Sequence, residues 1–211
     1  MKKIKILNAY ASIGGNRKFW NDERFEITAI ELEEKVANVY KKYYPKDNVI
    51  VGDAHEYILR NYKEFDIIWA SPPCQTHSRL VCSNEERLYN KYNMSYPDMK
   101  LYQEIILLSN FFKGKYVIEN VTPYYKPLIS PNSILDRHYF WCNFIISNFH
   151  KKDKRKHSDI ERNSTVYGFN VSNEDIPEKR KTLRNLVDPE LGLHILNCAL
   201  KNEKNQMEID F

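Results

Sequence analysis

Two apolar segments of this chain end on polar residues rather than in a simple turn, and they constrain the fold most. Residues 66–75 have the sequence Asp-Ile-Ile-Trp-Ala-Ser-Pro-Pro-Cys-Gln, and residues 116–121 have the sequence Tyr-Val-Ile-Glu-Asn-Val. The aliphatic and aromatic residues in both segments predict buried strands. In a parallel α/β sheet, ligands and reacting groups collect at the carboxyl ends of the strands. We therefore expect Cys74 and Glu119 to face one pocket.

A thiol and a carboxyl group in one pocket suit nucleophilic chemistry on an electrophilic ring. A thiolate is a strong nucleophile, and a nearby carboxyl group can activate the electrophile. On cytosine, thiolate attack at C6 with the carboxyl group on N3 would turn C5 into a carbon that accepts a methyl group. Pro72 and Pro73 fix φ and lack N–H donors, so they predict a rigid loop that presents Cys74.

Strand and helix patterns alternate along the chain before residue 120. The small-residue turn at residues 10–16 is predicted to lead into a helix that carries Phe19 and Trp20 and offers free N–H groups to a ligand. This alternation predicts a doubly wound, mainly parallel α/β sheet with right-handed crossovers. Predicted strands cover residues 3–8, 25–30, 48–51, 65–70 and 115–118, and further predicted helices cover residues 33–44 and about 96–112.

Composition indicates a soluble protein with one α/β core and at most a small appendage. The chain has 211 residues, of which 42% are hydrophobic and 28% are charged, values typical of globular proteins. Because no apolar run approaches a membrane span and the N-terminus does not resemble a signal peptide, we expect a cytoplasmic protein without a membrane partner. Cys82, Cys142 and Cys198 show no metal-ligand or disulfide spacing, so neither a metal nor a disulfide is expected.

The excess of positive charge lies in one segment. Residues 145–185 contain ten Lys and Arg residues against six Asp and Glu residues, an excess equal to the net charge of +4 of the whole chain. A basic segment of this kind would contact nucleic acid. A solvated lysine-rich loop explains the run at residues 151–156 equally well.

Two motifs resemble the catalytic motifs of the cytosine-C5 DNA methyltransferases, which use S-adenosylmethionine. They are Pro72-Pro73-Cys74-Gln75 and Glu119-Asn120-Val121. The resemblance implies a Rossmann-like class I methyltransferase in which Cys74 attacks cytosine, Glu119 engages N3, and Pro73 and Asn120 hold the loop. Taken singly, a buried thiol and a polar turn would explain the two motifs, but together they favour the catalytic interpretation.

The resemblance extends to the cofactor site. The segment Tyr10-Ala11-Ser12-Ile13-Gly14-Gly15 is similar to the family's Phe-x-Gly-x-Gly turn, with Tyr10 in place of the phenylalanine and Ser12 in place of the first glycine. Glu31 matches the acidic residue that holds the ribose, and Asp53 matches the residue that contacts the adenine amino group; a helix cap and a turn are the structural alternatives. The implied cofactor-binding residues are Tyr10, Ser12, Ile13, Gly14, Gly15, Glu31, Asp53, Ala54, Pro72, Asn185 and Val187.

The segment 136–143 resembles a strand that usually carries Arg-x-Arg, whose arginines steady the target base. Aligned on Tyr-Phe-Trp, the arginine positions fall on Asp136 and His138, and Arg137 lies between them. We take Arg137 as a further catalytic candidate. A surface arginine and a packed strand histidine are equally good explanations.

The chain departs from the family where a sizeable target-recognition domain usually lies. We divide it into a catalytic and cofactor-binding domain (residues 1–144), a short basic recognition segment (145–182), a closing motif with its helix (183–200) and a polar tail (201–211). The recognition segment is too short for its own hydrophobic core, and Tyr167-Gly168-Phe169 is its most ordered-looking part. The loop 75–96, with Arg79, Arg87 and Lys91, is a candidate to close over a flipped base, and a plain surface loop is the alternative.

The expected reaction is methyl transfer to C5 of a cytosine flipped out of DNA, through a covalent adduct with Cys74. A transfer-RNA cytosine methyltransferase shares the same motifs and is the nearest alternative. A catalytically idle relative that binds DNA or a partner is an alternative of another class, and affinity for S-adenosylmethionine would separate it from an enzyme. A thiol enzyme of unrelated chemistry is remote. We expect a monomer, and a partner protein that supplies recognition surface remains open.

Overall fold

The computed structural model of the chain describes residues 3–78, 96–135, 137–149 and 165–206. Seven strands form one mixed sheet in the spatial order β3-β2-β1-β4-β5-β7-β6. The first five strands along the chain pair in parallel, whereas β7 runs antiparallel to both β5 and β6. The strands are β1 (Ile4–Ala9), β2 (Phe25–Glu31), β3 (Asn48–Val51), β4 (Ile67–Ala70), β5 (Lys115–Val121), β6 (Ser133–Leu135) and β7 (His138–Cys142). The predicted α/β class is confirmed.

Five α-helices, a short 3₁₀ helix (Tyr62–Glu64) and a small hairpin complete the described structure. The predicted helices at 33–44 and 96–112 are present with slightly shorter bounds, and β5 extends three residues beyond its predicted end so that Glu119 and Asn120 lie within the strand. The helices are α1 (Glu34–Tyr43), α2 (Ala54–Asn61), α3 (Lys100–Phe111), α4 (Lys179–Arg184) and α5 (Pro189–Gln206), and the hairpin is β8 (Thr165–Val166) with β9 (Phe169–Asn170).

Consecutive residues of the central strands point to opposite faces of the sheet, and both faces are buried. Ile6 and Trp69 belong to the face covered by α5, where Ile195 is fully buried. Leu7 and Ile68 belong to the opposite face, which packs against α2 and α3. This double burial explains why the central strands have nearly continuous apolar sequences. None of the described helices is long and apolar enough to cross a membrane.

The prediction of a helix after the glycine-rich turn is wrong. Residues 11–20 form consecutive turns, with backbone bonds such as Trp20 N–H to the Arg17 carbonyl at 3.0 Å. Helix α5 occupies the space that such a helix would need: a Cβ on Gly192 would lie 2.3 Å from the Asn16 carbonyl oxygen. Only an irregular segment fits beneath α5 there, and the buried Trp20 side chain anchors it in the core.

The small hairpin and α4 pack against α1 and the glycine-rich turn. Phe169 from the hairpin and Leu183 from α4 form one apolar cluster with Ile13 of the glycine-rich turn and with Val36 and Val39 of α1. Tyr43 Oη both donates to the Asn170 carbonyl at 3.0 Å and accepts from the Asn170 N–H at 2.9 Å. This packing places α4 beside the carboxyl ends of the parallel strands.

Candidate active site

A cavity of about 970 Å³ opens at the carboxyl ends of the parallel strands. This volume is typical of pockets for cofactor-sized ligands. Twelve of the residues that the sequence predicted for catalysis and cofactor binding line it: Tyr10, Ser12, Glu31, Asp53, Ala54, Pro72, Pro73, Cys74, Glu119, Asn120, Arg137 and Asn185. The parallel topology therefore brings together side chains that are far apart in the sequence.

Four predicted cofactor residues do not line the cavity. Ile13 is fully buried in the cluster against α1, and Val187 lies in the core beneath α5. Gly14 has φ +81°, and a Cβ on it would lie 2.4 Å from the Tyr44 ring. A Cβ on Gly15 would lie 2.6 Å from the Val187 carbonyl oxygen. Both glycines thus allow close packing of the turn. Val187 contacts the turn through its backbone carbonyl.

Cys74 follows β4 and is held by contacts on both sides. Its carbonyl oxygen accepts from the N–H groups of His77 at 3.0 Å and Ser78 at 2.9 Å. On the other side, Asn120 Nδ2 donates to the Pro72 carbonyl at 3.0 Å. Because Asn120 belongs to β5, this bond attaches the proline loop to the neighbouring strand. The loop in turn holds Cys74 in its position in the cavity wall.

The thiol of Cys74 is not activated in the structure. Burial raises its pKa above the ordinary value, and the nearby Glu119 carboxylate raises it further; the cations Lys181 and Arg137 oppose this more weakly. A thiol with a raised pKa is protonated at neutral pH. Formation of the thiolate therefore depends on what enters the cavity.

Glu119 lies on β5 with a side chain that is 9% exposed. Its Oε1 lies 3.6 Å from Nε2 of His138 on the neighbouring strand β7. In the antiparallel register Val121 is opposite His138 and Glu119 is opposite Phe140, so the two side chains are diagonal neighbours on one face. The sequence identified His138 as a position in the altered arginine strand but did not predict this pair.

Arg137 lies at the mouth of the cavity, next to Asp136, which is outside the described residues. Its backbone carbonyl accepts from the N–H of Thr122 at 3.0 Å, which anchors the start of β7 to the end of β5. The loop residues Arg79, Arg87 and Lys91 and the thiol Cys82 also lie outside the described residues. Cys142 and Cys198 are buried.

One side of the cavity is built around the carboxylate of Glu31. It accepts from the N–H of Ser12 at 2.8 Å and from the N–H of Glu33 at 3.0 Å. Burial raises the pKa of Glu31, which these bonds partly offset. Tyr10 and Ser12 have φ values of +58° and +48°, so the turn bends tightly over this carboxylate without the glycines usual at such angles.

Asp53 combines a capping role with its position in the cavity wall. Its side chain accepts from the N–H of Glu56 at 3.2 Å at the start of α2, and it pairs with Lys100 of α3 at 3.2 Å. Burial acts in the opposite direction, but the amide bonds and Lys100 lower the pKa of Asp53. Asp53 therefore both caps α2, as the structural alternative expected, and lines the cavity.

The cavity has the donor and acceptor pattern that an adenosyl group needs. Ribose hydroxyls and the adenine amino group are hydrogen-bond donors, and Glu31 and Asp53 present acceptors. Tyr10, Ala54 and Pro72 add apolar lining to the same cavity. The residues present therefore fit S-adenosylmethionine. Within the described part of the chain, no group of three side chains is arranged to hold a metal ion.

Sequence reasoning missed several polar residues of the cavity. Lys100 and Asp98 lie at the start of α3. No pattern in the local sequence predicts that they line the cavity. Lys181 and Arg184 belong to α4, whose basic sequence Lys-Arg-Lys-Thr-Leu-Arg was a signal of nucleic-acid contact but not of a position beside Cys74.

The mixed sheet and its strand-end cavity define a Rossmann-like class I methyltransferase fold. The chain belongs to the C-5 cytosine-specific DNA methylase family, whose family model matches residues 4–128. Type II methyltransferase M1.HgaI from Avibacterium volantium is 30% identical over 129 residues, which are 57% of this chain and 35% of that protein. This chain therefore matches only about a third of the length of that curated relative.

Two solved structures align with part of the chain. A putative methylase from Haemophilus influenzae has 19% identity and a TM-score of 0.41, with 66% of this chain and 78% of that chain covered. A variant of Spodoptera frugiperda DNMT2 has 26% identity and a TM-score of 0.38, with 56% and 36% covered.

Proposed function

We propose that this protein transfers a methyl group from S-adenosylmethionine to C5 of cytosine in DNA, through a covalent adduct with Cys74. The observation that carries the proposal is the shared cavity, in which Cys74 and Glu119 lie beside the acceptors Glu31 and Asp53. Family membership supports the choice of cytosine and of DNA.

Glu31 would accept from the ribose hydroxyls and Asp53 from the adenine amino group, while the Tyr10 ring borders the base. Bound S-adenosylmethionine supplies an electrophilic methyl group next to Cys74 and Glu119. The target cytosine must leave the duplex, because its C6 face is covered by neighbouring bases in the stack. Arg137, Lys181 and Arg184 on the cavity lining would attract the phosphates on either side of that nucleotide.

Because the Cys74 thiol is protonated at neutral pH, its proton leaves to water as Sγ bonds to C6. Glu119 takes up a proton from water and delivers it to N3, so that the electron pair of the new bond accumulates at C5 rather than as charge on the ring. Once C5 is methylated, the C5 proton leaves to water, and its electron pair forms the 5,6 double bond as the S–C6 bond breaks and the thiolate of Cys74 is released. The thiolate then takes up a proton from water, and the N3 proton returns to Glu119.

The test is transfer of labelled methyl from S-adenosylmethionine to duplex DNA and, in parallel, to bulk transfer RNA. We expect 5-methylcytosine in DNA. Cys74→Ala should bind the cofactor normally yet lose at least about a thousandfold in rate, because the nucleophile is gone. Glu119→Gln should also bind the cofactor and be severely impaired. Cys142→Ala is the matched control, since it removes a buried thiol outside the cavity.

Label in transfer RNA alone would replace DNA by RNA as the substrate. Appreciable methylation by Cys74→Ala would eliminate the covalent scheme. Cofactor binding without label in either nucleic acid would contradict the proposed activity of this chain on its own.

A further inference from the structure

A buried hydrogen-bond network connects the cavity wall to two helices behind it. Glu104 of α3 is completely inaccessible to solvent. Its Oε1 accepts a hydrogen bond from the Tyr10 hydroxyl and lies 3.0 Å from Nδ1 of His55 on α2. A carboxyl group is seldom fully buried unless it has specific partners.

The surroundings of Glu104 make its polar partners important. Leu101 and Ile105 on its own helix and Ile58 on α2 form apolar core around it. Burial raises the pKa of Glu104, and the hydrogen bond to Glu104 raises the pKa of His55. The second oxygen, Oε2, has no hydrogen-bond partner among the described residues. Tyr10 and His55 are therefore what holds this carboxyl group in place.

Tyr10 is the member of the network that reaches the cavity. Its φ of +58° is uncommon for a bulky residue and needs support from the surrounding structure. The N–H of the next residue, Ala11, donates to the Ile30 carbonyl at 2.9 Å and fixes the backbone. The bond to Glu104 fixes the other end of the side chain. The ring is therefore held at both ends, whereas Glu104 and His55 do not line the cavity.

We propose that Glu104, supported by His55, is a positioning residue that holds the Tyr10 ring as a wall of the cofactor pocket and so sets the affinity for the adenosyl cofactor. The identity of the cofactor rests on the proposed function. The distances and burial that connect Tyr10 to α2 and α3 do not depend on it.

The test is a double-mutant cycle on the whole chain, with dissociation constants for S-adenosylmethionine and S-adenosylhomocysteine measured by calorimetry. Tyr10→Phe and Glu104→Leu should each weaken binding about 3- to 10-fold, the equivalent of one lost hydrogen bond. The double variant should bind no worse than the single variant that has the lower affinity, because both changes remove the same hydrogen bond. Glu104→Gln should rescue binding, since its amide oxygen still accepts from Tyr10.

Tyr102→Phe is the matched control. Its hydroxyl lies on the same helix, is largely buried and donates to Tyr125 Oη at 3.1 Å, yet Tyr102 does not line the cavity. It should leave cofactor affinity unchanged. Unchanged affinity in Tyr10→Phe, or losses that add in the double variant, would overturn the proposal.

A second measurement separates this proposal from the proposed function. Fluorotyrosine at position 10 should give one sharp ¹⁹F signal in the otherwise unchanged protein and with Glu104→Gln, and a broadened or doubled signal with Glu104→Leu. A sharp, unshifted signal in a folded Glu104→Leu protein would overturn the positioning role. If the unmodified chain binds neither cofactor form, the proposed function fails, and the ¹⁹F result alone decides on the network.

Discussion

At the scale of single residues, the chemistry of the site depends on how Cys74 and Glu119 affect each other. The carboxylate of Glu119, which would carry a proton to N3 of cytosine, also raises the pKa of the thiol that must lose its proton. The unliganded site therefore keeps an unreactive thiol, which limits side reactions of a partly exposed cysteine.

The rate of alkylation tests this coupling. Glu119→Gln removes one of the causes that raise the pKa of Cys74, so the thiolate fraction at pH 8 should rise and the thiol should react faster with an alkylating reagent. Iodoacetamide labelling of the Cys74 peptide, followed by mass spectrometry, measures this. Glu33→Gln is the control, because it changes another carboxylate of the cavity that does not act on Cys74. Slower labelling in Glu119→Gln would contradict the assignment.

At the scale of the elements, the glycine-rich turn owes its shape to side chains rather than to helical bonds. The Arg17 guanidinium pairs with Asp47 through contacts of 2.9 and 3.0 Å, and Tyr40 Oη donates to the same carboxylate at 2.8 Å. Tyr44 Oη donates to the Gly14 carbonyl at 2.8 Å. The turn is thus attached to α1 and to the segment that follows it.

Removing Asp47 should therefore cost far more than removing a surface carboxylate. Asp47→Ala leaves Arg17 and Tyr40 without their buried partner, and we expect the free energy of unfolding to fall by about 3–5 kcal/mol. Chemical denaturation measures the change. Asp22→Ala breaks the exposed ion pair with Arg24 and should have little effect. Similar losses of unfolding free energy in the two variants would show that the buried contacts of Asp47 stabilise the protein no more than an exposed ion pair does.

The packing of α2 against α3 should make stability depend on pH. The hydrogen bond with Glu104 raises the pKa of His55, against the opposing effects of burial and of Lys100, and Asp53 adds to the rise. Because the folded-state pKa lies above the unfolded value, the stabilisation is complete below the unfolded pKa and is lost as pH rises through the folded pKa. The raised pKa of Glu104 acts with the same sign.

Denaturant titrations between about pH 6 and pH 8 check this dependence. The stability of the unmodified protein relative to Glu104→Gln should decrease as the pH increases, because the variant lacks the carboxylate that retains the proton. A stability difference that grows with pH would contradict the raised pKa values of His55 and Glu104.

At the scale of the whole molecule, α5 joins the end of the described chain to its beginning. Helix α5 covers one face of the sheet, and its Gly192 lies directly against the Asn16 backbone. The closing motif just before α5 touches Gly15 through the Val187 carbonyl. The glycine-rich turn is therefore enclosed by residues from the end of the described chain.

Gly192→Ala tests this closure. The new Cβ would lie 2.3 Å from the Asn16 carbonyl oxygen, so either α5 or the turn must shift, and we expect a loss of about 1–3 kcal/mol in unfolding free energy. Cofactor affinity should fall with it. Gly52→Ala is the matched control, because no atom lies within 4 Å of its added Cβ. Equal stability of Gly192→Ala and the unmodified protein would show that the helix contact tolerates movement.

The sequence by itself determined the features that depend on local pattern. The apolar runs before Cys74 and through Glu119 predicted buried strands, and strand direction then predicted that their ends meet at one cavity. Alternation of helix and strand patterns predicted the α/β class. These inferences succeed because side-chain periodicity and the placement of strand ends are properties of short segments.

Only the tertiary structure decided the features that depend on distant contacts. The irregular segment near Trp20 replaces a predicted helix because α5, far along the chain, takes the space beside it. Glu104 lies 94 residues from Tyr10 and 49 from His55 along the chain, yet it bonds both. Neither packing volume nor a buried polar network leaves a periodic pattern in the sequence, so both are settled only when the elements pack together.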